Sequence, residues 1–161
     1  MVTMKKGMTI IELVVYLGIV AIVLVTMIDM TTRLITTQTK TAATSEVQQN
    51  LSYAMSRLTS SIQSASAVSG TYPSDTLNLT VDGNPVTFKL NSNALEIEEG
   101  GLPSTALSSS KVVVSAPSEG RIFTKVSNGA AISIQVNLMV ALASDINTKQ
   151  QAQTTVLLRG K

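Results

Sequence analysis

A chain of 161 residues is long enough for one modest domain with an appendage, and its 44% hydrophobic and 14% charged residues are unevenly spread. The net charge of +2 traces to Lys5 and Lys6; without residues 1–7, ten basic side chains face ten acidic ones, and no basic patch for a phosphate backbone is legible. Absence of Cys excludes disulfides and thiolate metal sites, and absence of His removes the usual general base and the commonest metal ligand. Three Tyr, two Phe and no Trp leave few rings to stack on bases or sugars.

The chain starts MVTMKKGMTIIEL and continues as the apolar run VVYLGIVAIVLVTMI to Ile28. Within residues 10–28 the only ionisable side chains are Glu12 and Tyr16. At about 1.5 Å per residue, roughly 20 helical residues cross a bilayer core of ~30 Å, so this run is just long enough. Lys5 and Lys6 precede it, and the positive-inside rule puts residues 1–7 in the cytoplasm and the rest outside. A cleaved secretory signal would show a shorter run followed by small residues, but Asp29-Met30-Thr31-Thr32-Arg33 follow here. A plain signal anchor fits better, except for Glu12. An acidic side chain in a spanning helix costs about 2.5–3.5 kcal/mol at mid-span, and less near the end where it can snorkel.

The segment KKGMTIIELVVYLGIVAIVLV resembles the amino-terminal signature of type IV prepilins and type II secretion pseudopilins. In that family a short basic leader ends in Gly, the next bond is cut, and Glu is the fifth residue of the mature chain. The resemblance assigns Lys5 and Lys6 to the leader charges, Gly7 and Met8 to the prepilin peptidase cleavage site, Met8 to N-methylation, and Glu12 to subunit register. Met8 stands where many pilins have Phe, and no Pro precedes Pro73, whereas many major pilins carry one in the helix. The spacing has a physical reading. Glu12 lies four residues, about 6 Å, beyond Met8, so a neighbour displaced by that step can set its new amine against the carboxylate. Inside an apolar bundle such a pair fixes register, and removing one partner is costly.

From residue 29 to about residue 67 no Pro or Gly interrupts a continuous helix, with a polar, Thr-rich neck over residues 31–46. Val47, Leu51, Met55, Leu58, Ile62 and Ala65 then recur at three- and four-residue steps, one apolar stripe that packs on its own domain. Gly70 and Pro73 are expected to end the helix. Strand candidates follow at residues 76–81, 86–90, 94–98, 111–115, 121–126, 131–142 and 154–159. Asp82-Gly83-Asn84-Pro85 reads as a turn, residues 100–110 as a loop, Asn128-Gly129 as a hairpin dipeptide, and Lys149-Gln150 as part of a polar loop. The expected fold is α+β: a long helix on one antiparallel sheet of about seven short strands, with at most a small hairpin beside it. The expected segments are a leader at residues 1–7, a transmembrane and filament-core helix at 8–28, its continuation at 29–66 and an extracytoplasmic β-rich domain at 67–161. The stretches LSSSKVVVS, AISIQVNLMV and TTVLLRG also resemble minor pilin and J-type pseudopilin domains, loosely.

Chemistry is hard to place elsewhere. Glu96, Glu98 and Glu99 form the sole acidic cluster; a divalent-cation site or a carboxylate pair is the sharp reading, a solvated strand end the bland and preferred one. Ser60-Ser61 and Ser108–Ser110 have no His for a triad. The expectation is therefore a non-enzymatic filament subunit with no catalytic residues, cofactor or metal. The resemblance implies as partners other pilin subunits, the prepilin peptidase, the pilus or secretion assembly machinery and the cytoplasmic membrane, with no nucleic acid. The competing class is an uncleaved, single-pass anchored binding module.

Overall fold

The computed structural model describes residues 9–117, 120–128 and 131–159. One long helix, α1 (Ile10–Ser64), precedes nine strands, and the chain divides into two compact units, one ending at Thr41 and one starting at Ala42.

From Ile10 on, the first unit is helix alone. Thr9 caps it: its carbonyl accepts the Glu12 and Leu13 N–H groups at 3.1 and 3.2 Å, and its hydroxyl stands 3.4 Å from the Glu12 nitrogen. That satisfies donors that every helix start leaves over. The apolar stretch is exposed on every side, and it is long and apolar enough to span a membrane. Beyond it the threonines turn inward on their own helix. Thr31, Thr32, Thr37, Thr39 and Thr41 donate their hydroxyls to the carbonyl four residues back, at 2.8–3.0 Å. Thr26 and Thr36 reach three residues back, at 2.8 and 2.9 Å. Such back-bonding lets Thr sit in a helix with its methyl group facing outward.

In the second unit the expected stripe is present. Val47, Leu51, Leu58 and Ile62 are buried and Met55 packs against the core; Ala54 and Ser61 are buried as well. Against them lie two antiparallel sheets. The first is a meander of β1 (Ala65–Ser69), β2 (Thr76–Val81), β3 (Asn84–Asn91), β4 (Ala94–Glu99) and β5 (Thr105–Ala106). The second is built on β8 (Ala131–Leu142), which pairs with β6 (Val112–Ser115), β7 (Phe123–Asn128) and β9 (Asp145–Leu157). β6 takes residues 139–142 of β8 and β7 takes 131–136, while β9 pairs across both stretches. β6 and β7 therefore share one flank of β8, and β9 holds the other.

The two sheets are stitched together. Ser74 and Phe123 exchange two backbone hydrogen bonds of 2.9 Å, and Val114 donates to the Asn93 carbonyl at 2.7 Å. Asp75 pairs with Arg121 and accepts the Ile122 N–H at 3.3 Å. Phe88, Phe123, Leu77, Leu95, Ile134 and Leu138 are wholly buried between sheet and helix. Each is worth about 1.5–3 kcal/mol of transfer free energy.

Several expectations need correction. The described residues form nine strands in two sheets, where about seven in one sheet were expected. The helix stops at Ser64, short of residue 66, and Ala65 belongs to β1. The Ser66 hydroxyl bonds the Thr80 carbonyl, so pairing with β2 captures the helix end. The turn after β2 is Asp82-Gly83 alone, both at positive φ as a type I′ hairpin requires; Asn84 and Pro85 already pair in β3. Thr105–Ala106 forms an edge strand inside the expected loop. Lys149 and Gln150 are not in a loop but pair with Ala141 and Val140. Asn128 ends β7, while Gly129 lies outside the described residues.

Candidate functional site

The sequence singles out the start of α1. Lys5, Lys6, Gly7 and Met8 lie outside the described residues. Glu12 is inside them, in the first helical turn, and it is exposed at the start of a mainly apolar stretch. Among the described residues its carboxylate has no hydrogen-bond or ion-pair partner. Placed there, the charge complements the positive end of the helix dipole. Thr9-x-x-Glu12 also has capping-box spacing, and the Thr9 leg of that box is present at 3.4 Å. Sequence reasoning overlooked Thr9, although the four-residue pattern was available to it. On the same exposed helix, a Cβ built at Gly18 meets nothing within 4 Å, so nothing inside the chain demands glycine there.

Where the apolar run ends, Arg33 Nε lies 3.0 Å from Asp29 Oδ2, with the two side chains 79% and 63% exposed. An exposed i,i+4 pair of this kind contributes only about 0.3–0.5 kcal/mol. Its use is to neutralise both charges at the point where the helix turns polar.

The acidic cluster resolves into ion pairs. Lys89 Nζ lies 3.7 Å from Glu96 and 3.9 Å from Glu98, across the β3–β4 ladder. Arg57 of α1 reaches Glu99. Glu96 is not a solvated strand end, since only 17% of its side chain is exposed; Asn91 donates to it at 3.1 Å. Among the described residues no group of three or more carboxylates, His or Cys is placed to hold a metal ion. A cleft of about 480 Å³ is lined by Tyr53, Arg57, Ile97, Glu99, Leu102 and Leu107. Its two charges, Arg57 and Glu99, pair with each other. Two residues of the serine stretches have packing roles: Ser61 is buried in the helix stripe, and the Ser109 N–H bonds Asn50 Oδ1 at 2.8 Å, fastening the loop between β5 and β6 to α1.

Among the described residues of the second unit, one titration is displaced. Burial pushes the Tyr72 hydroxyl above the ordinary tyrosine range, and the Asn78 N–H that it accepts works weakly in the opposite sense. The same hydroxyl donates to the Ser69 carbonyl at 2.9 Å and braces the link between β1 and β2. Comparison of the chain with family models, with curated proteins and with solved structures finds no match.

Proposed function

We propose that the chain is a structural subunit, a minor pilin or pseudopilin, of a type IV pilus or a type II secretion-like filament. In this reading a prepilin peptidase cuts the Gly7–Met8 bond and methylates the Met8 amine, and Lys5 and Lys6 hold the leader at the cytoplasmic face. The membrane stores the subunit through the apolar part of α1. An assembly machine then draws it out so that α1 packs beside α1 of other subunits, with the β-rich unit extracytoplasmic. The protein performs no catalysis in this scheme.

The observation that carries the reading is Glu12: a carboxylate without a partner among the described residues, at the start of the exposed, mainly apolar part of α1. Such a group is expensive in lipid and needs a cation when helices close round it. The Met8 amine of a neighbouring copy, displaced by about 6 Å along the axis so that it stands level with the carboxylate, is that cation. Neutralising one partner of a buried pair costs about 3–5 kcal/mol, a factor of ~100 or more in assembly.

Thr9 supplies a sharper test than removal of the charge alone. Gln serves as well as Glu at the third position of a capping box but carries no charge. Glu12→Gln and Glu12→Ala should both be matured normally, and both should be depleted about 100-fold from sheared fibres. Wild-type incorporation of Glu12→Gln, with loss only of Glu12→Ala, would show that Glu12 caps the helix and does not dock a neighbour.

A further inference from the structure

Within residues 10–28 the side chains that carry oxygen are Glu12, Tyr16 and Thr26. Thr26 is provided for inside the helix, since its hydroxyl donates to the Val23 carbonyl at 2.8 Å. Glu12 and Tyr16 are not: among the described residues neither side chain has a hydrogen-bond or ion-pair partner. Both are exposed, Tyr16 to 65%. A phenol in apolar surroundings is costly unless its O–H finds an acceptor. In a bilayer Tyr16 has one within reach. It stands only about 9 Å along the helix from Ile10, and long helical side chains lean toward the helix start, where headgroups and water lie. Once other helices replace the lipid, that exit closes.

Spacing supplies the new acceptor. Glu12 and Tyr16 are four residues apart on α1 and share one face of it. Met8 precedes Glu12 by the same four residues in sequence. A neighbour displaced by four residues, about 6 Å, sets its Met8 amine level with Glu12, and the same step sets its Glu12 level with Tyr16. One displacement therefore answers both unpartnered groups. A step of three or seven residues would instead bring the neighbour's carboxylate level with Val15 or Ile19, which offer no donor. The phenol donates and the ionised carboxylate accepts, and two carboxylate oxygens have room for an amine from one side and a hydroxyl from the other.

We propose that Tyr16 is a second register residue of the contact between copies, its hydroxyl donating to the Glu12 carboxylate of the adjoining copy. The proposal rests on the filament reading and extends it. Each Glu12 then has partners from two neighbours, the Met8 amine of one and the Tyr16 hydroxyl of the other. Because the second donor is neutral, the bundle still holds one cation for each carboxylate, and no unpaired charge is added to an apolar core.

Tyr16→Phe removes the hydroxyl and keeps the ring. In a host with the prepilin peptidase and the assembly machinery, Tyr16→Phe should be cut and methylated at Met8 and held in the membrane at the wild-type level. It should be depleted about 10-fold from sheared fibres, as loss of a hydrogen bond to a charged group entails. In a Glu12→Ala background the hydroxyl has already lost its acceptor, so the double variant should be recovered at no less than the level of Glu12→Ala alone. Wild-type incorporation of Tyr16→Phe, with Glu12→Gln still depleted, would overturn the role of Tyr16 and leave the pairing of Glu12 with Met8 standing. A further loss of about 10-fold in the Glu12→Ala background would overturn it too, since the hydroxyl would then act elsewhere. So would a fall in the membrane level of Tyr16→Phe before assembly, the mark of an interfacial anchor. A wild-type chain that is neither cut at Met8 nor found in fibres overturns this proposal together with the filament reading.

Discussion

Glu12 and Thr9 show how one residue can answer to two physical demands. The sequence marks Glu12 as a misplaced charge; the structure adds that it occupies the third position of a helix whose cap is Thr9. The charge was legible because it interrupts an apolar run. The cap was not, because a Thr-x-x-Glu pattern competes for notice with that larger anomaly. Tyr72 carries a prediction of its own. With its folded-state pKa raised by burial, the neutral hydroxyl contributes stability that is fully present below the ordinary tyrosine pKa of about 10. That contribution is lost as pH rises through the folded value. Tyr72→Phe should therefore be less stable near neutrality, for want of the bonds to Ser69 and Asn78, and should show a weaker fall in melting temperature between about pH 9 and 11. Parallel melting curves of the two proteins across that range would show an unchanged fall if Tyr72 were not responsible.

At the level of elements, hydrophobic periodicity located what packing decides. The stripe from Val47 to Ile62 was legible because its apolar residues return every three or four positions and do face the sheets. The end of β9 was, as part of the expected strand at residues 154–159, but its first part was not, because Thr-Lys-Gln-Gln-Ala-Gln offers no alternation of apolar and polar residues; pairing with the long β8 makes it a strand. The early stop at Ser64 has a similar origin, since capture by β2 overrides the helix preference of Ala65 and Ala67. The two parts of α1 should respond to truncation differently. Leu58 is fully buried, so Leu58→Ala should destabilise the second, β-rich unit by about 2–5 kcal/mol and lower its melting temperature by roughly 10 °C or more. Leu24 is 54% exposed, and Leu24→Ala should leave that temperature unchanged. Thermal unfolding in detergent, followed by the β-sheet signal, separates the two; equal effects would contradict this division of labour.

Across the whole chain, composition and charge distribution located the membrane-competent helix and the β-rich unit. The α+β class follows from one unbroken helical stretch succeeded only by short strands. The split into two sheets was not readable, because it depends on Asp75, Ser74 and Phe123 meeting across about 50 residues of chain, where local patterns carry no information. The apolar side chains of residues 10–28 are exposed among the described residues, and an exposed apolar surface of this length calls for lipid or other helices to cover it. The filament account assigns them both environments in turn, with a cut at Gly7–Met8 between synthesis and assembly. The mass of the mature amino terminus, taken from protein made in a host with an active prepilin peptidase, tests that claim most directly. The account predicts a chain that begins at N-methylated Met8. A chain that keeps Met1, or one that begins beyond Ile28, would contradict it.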